Sequence, residues 1–138
     1  FSLIADAYFA TIERHDSTQA FLNRPFFEEI GASLRRQWVA VVASRGGRVI
    51  AGALCLRHEN ILYVRFWGQL EPVENLHFEV CYHRAIEYCI AQGIRRYEPG
   101  HGGEHKYLRG FDPVPTTVLD RFWNTISKTY PTRNKVEK

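Results

Sequence analysis

The chain has 138 residues, 45% hydrophobic and 14% aromatic, enough to bury about two thirds of its unfolded surface in one core, and this composition excludes a disordered chain. Its 18 Lys and Arg against 15 Asp and Glu leave a formal net charge of +3. That excess is small and, outside the basic tail at 128–138, spread along the chain, so no dedicated nucleic-acid surface, for DNA or otherwise, is indicated.

Other bulk features point the same way. No apolar run approaches the ~18 residues of a membrane span, and no signal-peptide pattern leads the chain. Cys55, Cys81 and Cys89 sit in apolar settings without CxxC spacing, as expected of reduced core thiols in a soluble cytoplasmic protein. The chain lacks Met and opens on Phe1 in mid-pattern. The expectation is one domain over 1–138 that is a fragment or processed piece of something longer.

Residues 1–14 place Phe1, Ile4, Ala5, Tyr8, Phe9 and Ile12 at helical three-and-four spacing. A second helix, capped by Asn23 with Pro25 in its first turn, carries Phe26, Phe27, Ile30 and Leu34 and should end near Arg36. Residues 38–43, 48–56 and 61–68 then read as a three-strand antiparallel meander, reversed at Arg45-Gly46-Gly47 and at Glu59-Asn60. The near-continuous apolarity of these strands predicts helices over both sheet faces. Residues 69–75 form a loop in which Pro72 resists helix and Asn75 is placed to cap. Residues 76–92 follow as a helix with Phe78, Cys81, Tyr82, Ala85, Tyr88 and Cys89 inward, stopped by Gly93. A strand at 94–98 completes a crossover with parallel strands. Beyond it, Pro113 and Pro115 extend the chain through Val118, and Asp120 is placed to cap a last helix bearing Phe122, Trp123 and Ile126. The fold class is α/β with a mixed sheet.

The chemistry concentrates in residues 98–111, where four glycines lie among Glu98, His101, Glu104, His105, Lys106 and Arg109. Glu98, Glu104 and His105 can act as acid or base; Lys106 and Arg109 can hold a carboxylate or phosphate. A charged surface loop closed by its own salt bridges is the blander reading of the same residues. His77 and Glu79 in the first turn of the long helix, and Trp67 at the end of the preceding strand, are further candidates, because ligands of open α/β sheets favour strand ends. Metal ligation by His101 and His105 with Glu104, or by His77 with Cys81, has countable donors, but the first pair lies on a glycine loop rather than a helix, which removes the geometric case for one-sided ligation. Nucleophilic cysteine chemistry is disfavoured by the buried stripe that carries Cys81 and Cys89.

Phe66-Trp67-Gly68, Leu76-His77-Phe78-Glu79-x-Cys81-Tyr82, Ile86-Glu87-Tyr88-Cys89-Ile90, Glu98-Pro99-Gly100 and Gly103-Glu104-His105-Lys106-x-x-Arg109-Gly110-Phe111 resemble the C-terminal half of bacterial FemAB-like peptidoglycan biosynthesis/recognition proteins, within the GNAT acyltransferase superfamily. The resemblance covers roughly residues 1–118 and is most specific at Gly-Glu-His-Lys. It implies a GNAT-like acyl-CoA N-acyltransferase fold with an antiparallel meander and a strand-helix-strand crossover. It also implies a missing N-terminal half-domain, and transfer of an acyl or aminoacyl group to a peptidoglycan precursor or other amine. The candidate donors are acyl-CoA and aminoacyl-tRNA, and the resemblance carries over no established catalytic residue. One departure stands out: the place of a CoA pyrophosphate loop is taken by residues 69–75, which hold no glycine and two acids, and acids there repel a pyrophosphate.

Two further readings compete with a transferase using Glu104 or His105 as base and Glu98, Lys106, Arg109, His77, Glu79 and Trp67 toward a small-molecule or peptide-like substrate. One is a non-catalytic pseudo-GNAT module that binds a peptidoglycan-like ligand. The other is a structural half whose apolar face around Phe1, Tyr8 and Phe9 would drive homodimerisation when its partner half is removed.

Overall fold

The computed structural model describes residues 2–14, 22–100 and 103–114. The expected last helix, the segment around Val118 and the basic tail lie outside the described residues. The chain divides into two compact units, Phe1–Gly103 and Glu104–Lys138.

The first unit begins with helices α1 (Ser2–Arg14) and α2 (Arg24–Ser33). The Asn23 side chain accepts a hydrogen bond from the Phe26 amide at 2.9 Å, with Pro25 in the first turn, so the cap and start read from sequence hold. The helix stops at Ser33, short of Arg36: the Leu34 amide closes on the Ile30 carbonyl (3.0 Å) in a non-helical conformation and Gln37 turns back onto Leu34 (2.9 Å). Asp6 and Arg24 tie the two helices at 2.7 Å.

The meander follows as β1 (Trp38–Arg45), β2 (Arg48–His58) and β3 (Ile61–Gln69), joined by antiparallel pairing. Gly46 and Gly47 both have positive φ, 57° and 80°, which a two-residue hairpin turn matched to strand twist requires. A bulge at Arg65 lets Leu54 pair with Phe66 while Cys55 pairs with Val64. The chain then runs through α3 (Leu76–Phe78), a π-helical turn (Glu79–His83) and α4 (Arg84–Ala91). Gly93, at φ 64°, ends this helical run as expected. The last strand, β4 (Arg96–Glu98), lies parallel to β3 and completes the sheet order β1-β2-β3-β4. Asn75 precedes α3 with a left-handed backbone and no side-chain cap, unlike the expected capping role.

Successive residues of β2 serve opposite faces. Leu54 packs with Ile4, Ala5, Phe27 and Ile30 of α1 and α2, whereas Cys55 packs with Leu62, Ala85, Cys89 and Ile94 under α4. Helices thus cover both faces, as the apolar strands require. One close approach positions α1. A Cβ on Gly68 would overlap the Ala7 carbonyl group and the Tyr8 amide, so only glycine lets the helix backbone rest on β3. Nearby, Thr11 Oγ1 accepts from the Gln69 amide (2.9 Å) and donates to the Ala7 carbonyl (2.8 Å).

All three cysteines are free and buried. Desolvation pushes the Cys55 thiol up to about 12 and lifts Cys81 and Cys89 as well. The folded chain therefore keeps protons that the unfolded chain releases, so this contribution is whole at neutral pH and is lost as pH rises between about 8.5 and 12. Urea midpoints should fall across that window. Cys55→Ala, less stable throughout because it leaves a cavity, should lose stability with pH less steeply.

Candidate functional site

The candidate residues fall into the two units. In the first, Trp67 stands near the end of β3 and packs edge-on against His77 of α3, with ring centroids 5.2 Å apart. His77 also meets Phe78 (5.3 Å) and Tyr82 (5.6 Å). Trp67 and His77, named separately as candidates, thus touch within one aromatic group, partly exposed and set at the entry of the π-helical turn. Such turns insert one residue into the helix and recur at functional sites. The turn is braced from the sheet, where the Tyr97 hydroxyl donates to the Cys81 carbonyl, and burial raises the Tyr97 phenol well above its ordinary value. Sequence reasoning missed this brace. Its only signal was a tyrosine in an otherwise charged strand.

The Glu79 carboxylate accepts from Arg84 Nε at 2.7 Å, and Arg84 also holds Glu87 at 2.8 Å. Both hydrogen bonds stabilise the charged guanidinium and raise Arg84. Glu98 pairs with Arg96 at 2.8 Å and lies level with Tyr63, where β3 and β4 are in register. It therefore stands beside the third residue of β3, while Trp67 lies four residues further along, about 13 Å at strand rise.

Between β3 and β4 the ladder joins Ile61, Leu62 and Tyr63 to Arg96, Tyr97 and Glu98. β3 continues for six residues beyond Tyr63, and among the described residues no strand pairs with it on that side. Gly100, at φ 83°, turns the departing chain past the Val64 carbonyl, 3.6 Å from where its Cβ would be. The ladder on this side thus ends at Tyr63, two residues before the Arg65 bulge, where the Arg65 guanidinium lies 5.1 Å from the Tyr63 ring centroid.

In the second unit, the stretch read as loop forms a short 3-10 helix, Glu104–Arg109. The Arg109 guanidinium donates to the His105 carbonyl at 2.8 Å, and the Gly110 and Phe111 amides close on Tyr107 (3.0 Å) and Lys106 (3.2 Å). Glu104 and Arg109 are exposed; His105 and Lys106 are half-buried. Burial lowers the Lys106 ammonium below its usual value. His101 lies outside the described residues, and among the described residues no three metal-ligating side chains gather. No helix among them is long and apolar enough to cross a membrane.

A family model for FemAB-like peptidoglycan biosynthesis/recognition matches residues 1–130. The chain belongs to the FemAB-like family. No curated protein and no solved structure matches it significantly. The FemAB-like match spans both the sheet and the short helix carrying Glu104, His105, Lys106 and Arg109, so both sets of candidates belong to family sequence.

Proposed function

We propose that this FemAB-like chain is a GNAT-like acyl- or aminoacyl-transferring domain, the C-terminal half of a longer protein, acting on an amine of a peptidoglycan precursor. The observation that supports this reading is that pairing between β3 and β4 stops after only three residues, leaving six residues of β3 without a described partner strand on that side. In GNAT-type sheets the acyl donor enters where strands part in this way.

Transfer to an amine forms a C–N bond as the donor's C–O or C–S bond breaks. The amine proton passes to a base, and the leaving atom gains a proton. His105 or Glu104 serves as the base. Lys106 and Arg109 hold the anionic part of the substrate or the developing oxyanion, and burial that lowers Lys106 makes its proton easier to give up. Taken by itself, the first unit offers a ligand the ring faces of Trp67 and His77 and the carboxylates of Glu79 and Glu98.

A CoA pyrophosphate does not fit the turn before α3. The Val73 amide is already spent on Gln69 Oε1 (3.4 Å) and the Leu76 amide on the Val73 carbonyl (3.3 Å). Glu71, held by Arg45 and Arg48, adds a carboxylate to the loop. These engaged amides count against acyl-CoA and leave the aminoacyl-RNA ester as the donor to test first.

The test is a transfer assay on the full-length protein with a nucleotide-linked muropeptide as acceptor and aminoacyl-tRNA or acyl-CoA in parallel. Mass increase of the acceptor with aminoacyl-tRNA is expected. Precursor binding without transfer from either donor would assign a binding module instead.

A further inference from the structure

The π-helical turn is also where the sheet takes hold of the helical run. Within it the Arg84 amide closes on the Glu79 carbonyl, five residues back, where an α-helix reaches back four. Such turns hold under about 1% of residues in globular proteins, so contacts from outside the helix must favour this one. Two contacts belong to the widened register. The His77 and Tyr82 rings meet with centroids 5.6 Å apart, although five residues of a regular α-helix set side chains about 140° apart around its axis. The second contact comes from β4, where Tyr97 points opposite to Arg96 and Glu98, which pair with each other at 2.8 Å. The Tyr97 ring packs against the core cluster of Cys55, Leu62, Ala85, Cys89 and Ile94, and its hydroxyl donates to the Cys81 carbonyl inside the turn. Burial raises the phenol, so the hydroxyl keeps the proton it donates.

We propose that Tyr97 is a positioning residue: by holding the Cys81 carbonyl, its hydroxyl selects the π register and so keeps the His77 ring against Trp67. Ala85 and Cys89 anchor α4 in the core. If the turn relaxed to α geometry, the residues before it would rotate by about 100° about the helix axis and shift by about 1.5 Å along it. The Cys81 carbonyl would swing away from Tyr97. His77 would leave the edge of Trp67, which β3 holds opposite Ala53. Bond and ring contact are thus made in the same register, and each stabilises the other. Coupling of this kind is reciprocal: whatever draws β4 off the helical run releases His77, and a ligand that clamps the two rings together draws β4 in. All the contacts involved lie within the first unit, so the inference stands whether or not the chain transfers acyl groups.

Tyr97→Phe removes the one bond and leaves the ring in its packing, and the three buried thiols report the result. Cys81 sits in the turn, Cys89 on α4 and Cys55 on β2. The experiment alkylates the native full chain with iodoacetamide, reads the initial rate at each thiol by mass spectrometry, and follows the Trp67 to His77 ring contact by nuclear Overhauser cross-peaks. In Tyr97→Phe, Cys81 should react about three- to tenfold faster, the scale set by the net worth of one hydrogen bond. Cys55 and Cys89 should react at the parent rate, and the cross-peaks between the two rings should weaken. Tyr88→Phe makes the same change on a ring packed against the same cluster and should leave every reading at its parent value. The proposal is overturned if Cys81 keeps its parent rate in Tyr97→Phe, or if Cys55 accelerates by the same factor, which would mean general loosening. A matching response to Tyr88→Phe would overturn it too. So would ring cross-peaks at full strength beside a faster Cys81, because the hydroxyl would then hold the turn without placing His77.

Discussion

Gly68→Ala is expected to destabilise the chain by about 3 kcal/mol or more, a large part of the stability of a domain this size. The added methyl would overlap the Ala7 carbonyl group and the Tyr8 amide, which are helix backbone and cannot swing aside as a side-chain tip can. Helix α1 would have to lift off β3, drawing Ile4, Ala5 and Ala7 out of the core and breaking the Thr11 to Gln69 hydrogen bond. Gly52→Ala is the matched control. Its nearest neighbours, Ile4 Cγ1, the Val41 carbonyl oxygen and Val42 Cγ1, would lie 3.5 Å from the new carbon, in ordinary contact. That substitution should stay within about 0.5 kcal/mol of the parent, because alanine also relieves the entropic cost of glycine in a strand. Urea denaturation of both variants decides the matter, and equal midpoints for Gly68→Ala and the parent would refute the close approach.

In the full-length protein, loss of the catalytic base should lower transfer by about 10²- to 10⁴-fold. His105→Ala and Glu104→Gln are therefore made separately: the one that acts as base should lose turnover on that scale, and the other should lose less. Lys106→Ala should raise KM for the anionic substrate more than it lowers kcat if Lys106 binds ground state and transition state alike, and should lower kcat if it meets the oxyanion. Glu104 is exposed and Glu104→Gln keeps its shape, so folding is not at issue there. Turnover at the parent rate in all three variants would remove the short helix from the mechanism.

The sheet was legible because its punctuation is local. Arg45-Gly46-Gly47 and Glu59-Asn60 fix the reversals, and Gly93 fixes the end of the long helical run. Three features were not legible. The stripe from Phe78 to Cys89 suits an uninterrupted α-helix, so the extra residue of the π-helical turn leaves no mark on its periodicity. Glycine content hid the helical turns at Glu104–Arg109, where Gly103 and Gly110 act as boundaries with φ 95° and 79°. The Tyr97 brace on Cys81 is made across the fold, and spacing along the chain cannot reveal it. The candidate residues were named from sequence, but their division between two compact units came only with the fold.

The short parallel ladder has a kinetic meaning as well. The meander is held by two-residue turns, so its pairings close small loops and cost little chain entropy. Joining β4 to β3 instead closes a loop that includes the whole helical run from α3 to α4, in return for three paired residues. That closure should come last when the chain folds and yield first when it breathes. Faster amide exchange along β4 than along β2 is the signature of that order. That short seam is then a clasp, able to loosen while the meander and its helices stay shut.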